Sequence, residues 1–222
     1  MKTRTKERSL ILFLSFLALS IIFTLFVKFL DVKPIGPEAG NVGLATINEA
    51  FHNTFGYNAL LHKTTEYLGY AGAIFPLFFF GLGVYQLFKR KSLKKVDSCI
   101  YIAGAFYVLM IIIYELFEAL VINCRPVILD GTLEASYPSS HTFLTICFCL
   151  STIFLNNMAY SKKSWTRPMN ICAWILLAII PLGRLFSGVH WLSDILGGVL
   201  IGMALVYLFE FALFKVRKLT SK

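Results

Sequence analysis

The chain has 222 residues, 57% of them hydrophobic and 15% charged, and its mean hydropathy of +0.71 is too apolar for a soluble domain to keep its surface wetted. A formal net charge of +9 raises the question of a nucleic-acid partner, but the Lys and Arg residues sit in short runs between apolar segments, which argues against one. Because a spanning helix needs roughly 20 residues, this length holds about six spans with short loops, read as one membrane domain over residues 1–222.

Lys2, Arg4, Lys6 and Arg8 precede an apolar run from Ser9 to about Leu30. That run is too long for a signal-peptide core and has no small-x-small cleavage site before Pro34, so it reads as a retained first span. Residues 31–66 are mixed. Pro34, Gly36, Pro37 and Gly40 interrupt them ahead of a moderately amphipathic stretch around 47–61, and the segment is expected outside, partly lying on the interface. Further apolar runs at about 67–88, 98–122, 142–158, 169–186 and 195–214 each approach the length of a bilayer crossing. The prediction is an all-α integral membrane protein with six transmembrane helices, without internal repeats or low-complexity tracts.

Charge placement orients these spans. Four Lys/Arg lie before Ser9, five in Lys89–Lys95, three in Lys162–Arg167 and four in Lys215–Lys222, which is 16 of the 21. Only Lys28, Lys33, Lys63, Arg125 and Arg184 fall on the other side or at its boundary, so both termini are expected in the cytoplasm. The Lys89–Lys95 run is read as this topology signal rather than as a lipid-recognition site. Cys99, Cys124, Cys147, Cys149 and Cys172 form no CxxC pair and have no companion histidine cluster, so neither a zinc site nor a disulfide framework is indicated.

With that topology three polar clusters share one side of the membrane: Cys124-Arg125-Pro126, then Tyr137-Pro138-Ser139-Ser140-His141, then Arg184 to Asp194. Ionisable groups at membrane depth are costly and mark function. Pro138, Ser139 and Ser140 suit the start of a helix, whose free N–H groups and positive dipole end bind an anion such as phosphate. His190 and Asp194 are four apart, so on a helical turn they share a face and the carboxylate can fix the imidazole tautomer that leaves the other nitrogen free to attack. Arg125 and Arg184 supply planar forks for phosphate oxygens.

Arg125-Pro126, Pro138-Ser139-Ser140-His141 and Arg184-x5-His190-x3-Asp194 together resemble the type 2 phosphatidic acid phosphatase superfamily, whose pattern is K-x6-RP, PSGH and SR-x5-H-x3-D. The resemblance covers the chain from the third span onward. It implies that His190 is the nucleophile that becomes a phosphohistidine, oriented by Asp194, that His141 protonates the leaving group, and that Ser139, Ser140, Arg125 and Arg184 hold the phosphate. It implies no metal and no cofactor, and the sequence has no carboxylate cluster to hold a metal. Three positions depart from the pattern. Glu118 stands where the family has lysine, reversing a charge and making it a candidate tuning residue. Ser140 replaces the glycine of PSGH, and Gly183 replaces the serine before Arg184.

The remaining polar residues are given structural readings. His52 and His62 are taken as interfacial side chains, and Tyr137 and Trp191 as aromatic-belt anchors ahead of substrate contacts. Glu115 and Glu118 either pair with the arginines or face water. The expectation is a metal-independent membrane lipid phosphatase with its active site facing outside. By resemblance its substrate is undecaprenyl diphosphate, phosphatidylglycerophosphate or phosphatidate, entering from the bilayer. The competing reading is a catalytically weakened lipid-phosphate binding or transport protein on the same scaffold, with Glu118 marking the loss.

Overall fold

The computed structural model describes residues 2–129 and 131–220, with side chains described for 6–129 and 131–216. Lys222 therefore lies outside the described residues, as do the side chains of Lys2, Arg4, Arg217 and Lys218, which the charge count used.

In a lipid environment backbone N–H and C=O groups must be satisfied within the chain, and sequences this apolar do so as helices. There are eight α-helices among the described residues: α1 (Lys2–Phe29), α2 (Ala45–Phe55), α3 (Ala59–Gly72), α4 (Ile74–Arg90), α5 (Ser98–Leu120), α6 (Ser140–Ala159), α7 (Thr166–Phe186) and α8 (Leu192–Thr220). α3 and α4 meet at Ala73, itself helical in backbone angles, and form one long apolar stretch; with it, six stretches are long and apolar enough to cross a membrane.

The second crossing starts at Ala59 rather than near 67. Asn58 caps it, its side-chain oxygen accepting from the Leu61 N–H at 3.0 Å. His62 and Thr65, the polar residues that hide this start in the sequence, are buried against a neighbouring helix instead of facing water. α6 is the innermost helix, packing Phe143, Ile146, Leu150 and Ile153 against α7 and against Ile201, Leu205 and Phe209 of α8. α1 runs along α8, where the Ser9 hydroxyl donates to Glu210 at 2.7 Å.

Polar contacts distinguish the two ends of the bundle. At one end Asp97 accepts from Gln86 at 2.8 Å, from Arg90 at 2.7 Å and from Tyr160 at 3.0 Å, beside a cavity of about 370 Å3 that also touches Leu213 and Val216. Described residues of the basic runs lie at this end: Arg90 reaches Asp97, Lys163 lies over the Trp165 ring, and Lys6 and Lys215 lie over the Phe211 ring. At the other, residues 31–58 fold over the α5–α6 and α7–α8 connections. The Gly43 N–H donates to Asn123 Oδ1 at 3.0 Å, Asn48 on α2 donates to the Ser193 hydroxyl at 2.9 Å, and the Asn58 N–H donates to the Ser187 carbonyl at 2.9 Å. The segment expected to lie partly on the interface is thus a cap tied to both connections.

Candidate active site

Arg184, in the last turn of α7, is fully buried, and its hydrogen bonds run to two imidazoles. One guanidinium arm (Nη1) donates to His62 Nδ1 at 2.7 Å and the other (Nη2) to His190 Nε2 at 3.3 Å. A guanidinium only donates, so both ring nitrogens must present lone pairs. For His190 this places the proton on Nδ1, which faces the Ser136 hydroxyl at 3.2 Å, and Ser136 in turn donates to Asp194 Oδ2 in a very short contact. Burial first, then the charges of Arg184 and Arg125 and the nearby His141, hold the His190 pKa well below the ordinary histidine value, so the ring is neutral.

Asp194 is fixed from several directions. It accepts from the Trp191 N–H at 2.9 Å and from Asn123 Nδ2 at 3.3 Å. Because α8 begins at Leu192, the first of these contacts has the form of a capping box, a third-position acid reaching back to the N-cap N–H. His190 therefore precedes the helix instead of sharing its face with Asp194. The direct Nδ1 to Oδ2 separation is 3.8 Å, and Ser136 fills the gap.

The second side of the site is the start of α6. Ser139 occupies the N-cap; its N–H donates to the Asp194 carbonyl at 2.9 Å, while its hydroxyl is buried without a protein partner. Ser140 and His141 form the first turn, whose N–H groups have no acceptors within the helix. The His141 ring lies 5.7 Å from that of Tyr70 and against Gly69, where an added Cβ would stand 2.4 Å from its Cδ2.

Arg125 lies on the α5–α6 connection, where its N–H donates to the Glu134 carbonyl at 3.0 Å and its guanidinium pairs with the Glu134 carboxylate at 3.0 Å. Among the described residues, Arg125 Nε, Arg184 Nε, Ser139 Oγ and His141 Nδ1 are all buried without partners. Buried polar groups are ordinarily satisfied, so several unpaired ones around a neutral imidazole and two arginines fit an oxyanion such as a phosphoryl group.

The sequence-derived residues His190, Arg184, Asp194 and Ser139 are joined by these hydrogen bonds, and Arg125 and His141 act on His190 electrostatically. Glu118 is half-buried on α5, and the carboxylate that pairs with Arg125 is Glu134. Tyr137 and Trp191 are not belt residues. The Tyr137 hydroxyl bonds Thr24 at 2.7 Å, Trp191 Nε1 donates to the Cys124 carbonyl at 2.7 Å, and both rings are buried. His62 is likewise no interfacial side chain. Sequence reasoning gives His62 only an interfacial reading and does not single out Ser136, Asn123 or Glu134. Only Ser136 carried a usable signal, two residues before the Pro138 motif.

Fold and site together define a multi-pass helical membrane protein with a buried histidine–arginine site suited to an oxyanion. Residues 70–217 match the model of the PAP2 superfamily, and the chain belongs to that family. It is 33% identical over 79 residues to lipid phosphate phosphatase delta of Arabidopsis thaliana, a match covering 35% of this chain and 19% of that protein. It is 28% identical over 140 residues to the bacitracin transport permease protein BcrC of Bacillus licheniformis, covering 59% and 63%. The chain thus spans less than two thirds of the length of either relative. The crystal structure of a transmembrane PAP2-type phosphatidylglycerolphosphate phosphatase from Bacillus subtilis superposes with a TM-score of 0.57 over 89% of this chain and 94% of that one, at 17% identity, and shares its fold.

Proposed function

We propose that this chain is a metal-independent membrane phosphatase that hydrolyses a lipid phosphate or diphosphate through a phosphohistidine on His190. The observation that carries the reading is the position of His190 Nε2, which presents its lone pair 3.3 Å from Arg184 while Nδ1 is tied through Ser136 to Asp194. In the first step Nε2 attacks phosphorus and the bond to the lipid oxygen breaks. Arg184, Arg125, Ser139 and the first-turn N–H groups of α6 hold the three remaining phosphoryl oxygens. His141 protonates the departing oxygen. The imidazole gains positive charge as the P–N bond forms, and Ser136 and Asp194 stabilise it through Nδ1–H. In the second step water gives its proton to His141 and attacks phosphorus, the P–N bond breaks, and inorganic phosphate leaves.

The headgroup reaches this cage from the leaflet at the capped end while the tail stays in lipid. The basic runs, read as cytoplasmic loops, support assigning that leaflet to the outside. Undecaprenyl diphosphate, phosphatidylglycerophosphate and phosphatidate all present the required group. The test is phosphate release by purified protein from these three lipids with a chelator present. Wild type is expected to turn over at least one, and His190→Ala none. Wild-type turnover by His190→Ala refutes the mechanism, and no release from any lipid by wild type refutes the activity.

A further inference from the structure

The face that α3 turns toward the site is drawn from positions three and four apart, which form one stripe on a helix. From its N-terminal end, Asn58 receives an anchor through its N–H to the Ser187 carbonyl at 2.9 Å. One turn on, His62 Nδ1 accepts from Arg184 at 2.7 Å. Thr65 follows, fully buried, its hydroxyl turned back to the Leu61 carbonyl at 2.8 Å so that its methyl faces α7. Opposite that methyl is Gly183, where an added Cβ would stand 2.3 Å from Thr65 Cγ2. Gly69 then lies against the His141 ring. Helix α3 is thus seated on α7 closely enough that His62 reaches the guanidinium of the next residue, Arg184.

This contact decides where Arg184 points. The guanidinium is fully buried, its hydrogen-bond partners are His62 and His190, and no carboxylate is paired with it among the described residues. A long side chain of this kind loses its aim unless a fixed acceptor holds one arm. His62 can be that acceptor only as a neutral imidazole with its proton on Nε2, and unlike a paired carboxylate it brings no negative charge of its own against the guanidinium.

We propose that His62 is a positioning residue, a neutral acceptor on α3 that holds one arm of Arg184 so that the other stays on the Nε2 face of His190, where the phosphoryl group is bound. The proposal rests on the phosphatase reading above. It predicts that His62 acts on the reaction only through Arg184, and that what matters is an acceptor at the Nδ1 position rather than the size of the ring.

The experiment compares wild type, His62→Leu, His62→Asn, Arg184→Lys and the His62→Leu/Arg184→Lys double variant, purified in detergent. Asn is chosen because its side-chain oxygen falls near the place of Nδ1, and Lys because it keeps the charge without the second arm. Two quantities are read: kcat/KM on a lipid phosphate that wild type accepts, and the rise in thermal unfolding midpoint caused by inorganic phosphate, which needs no turnover. His62→Leu is expected to lower kcat/KM about 10- to 100-fold, as loss of an orienting partner does. His62→Asn should recover most of that loss, and His62→Leu should cost little further in the Arg184→Lys background. The phosphate-induced rise should follow the same order, and it alone reads the cycle where turnover is undetectable. Equal loss in the Asn and Leu variants, equal cost of His62→Leu in both backgrounds, or wild-type values for His62→Leu would each overturn the proposal while leaving the phosphatase reading intact. A wild type that neither hydrolyses any lipid phosphate nor is stabilised by inorganic phosphate would remove both.

Discussion

Ser136→Ala removes the hydroxyl that stands between the nucleophile and its carboxylate. Ser136 is buried, 3.2 Å from His190 Nδ1 and in short contact with Asp194, whereas His190 and Asp194 are 3.8 Å apart, beyond a direct hydrogen bond. As phosphorus bonds to Nε2 the ring becomes cationic, and Nδ1–H needs an acceptor backed by negative charge. A hydrogen bond involving a charged group contributes about 1.5–3 kcal/mol, and each 1.4 kcal/mol or so is a factor of ten in rate, so kcat should fall about 10- to 150-fold. KM should change little, because the Ser136 side chain bonds His190 and Asp194 rather than the arginines. Asp194 keeps its donors from Trp191 and Asn123, so the protein should still fold. Steady-state kinetics of Ser136→Ala beside Asp194→Asn, with thermal unfolding as the control, is the assay. Wild-type kcat in Ser136→Ala together with a crippled Asp194→Asn would mean that the carboxylate acts on the imidazole directly and that the relay is wrong.

Three further outcomes are expected. The folded His190 refuses a proton that the unfolded chain takes up as pH falls through about 6.5, so stability should be lost below that pH, by up to about 1.4 kcal/mol per unit for this one group; thermal midpoints between pH 7.5 and 5 should fall less steeply in His190→Asn, and equal slopes would refute the assignment. Glu118→Lys should lower the apparent KM for a lipid phosphate, because it adds a cation near the cage while Arg125 keeps Glu134 as its partner; matching kinetics in wild type, Glu118→Lys and Glu118→Gln would make Glu118 an uninvolved residue. In a Cys172→Ala background, which removes an exposed thiol, Cys124 should react with a membrane-impermeant thiol reagent added outside intact cells and a Ser92→Cys thiol should not. The reverse pattern would put the site in the cytoplasm.

Much of this protein was legible in its sequence, because a bilayer leaves few options for the backbone. Runs of apolar residues near crossing length must become helices, and the spacing of Arg184, His190 and Asp194 is local enough to survive any arrangement of the bundle. Hence the six crossings and the three clusters are readable in the sequence. The start of the second crossing was not, since His62 and Thr65 read as polar loop residues until α7 buries them. The relay through Ser136 was hidden for a related reason. A separation of four predicts that His190 and Asp194 share a helical face, but α8 begins only after His190, and Ser136 arrives from a connection more than fifty residues earlier. The partners of the two arginines, Glu134 and His62, were likewise decided by tertiary structure alone. Which acceptor a guanidinium finds depends on how connections and helices pack in space, and the distance from His62 to Arg184 is short only because Gly183 lets α3 sit against α7.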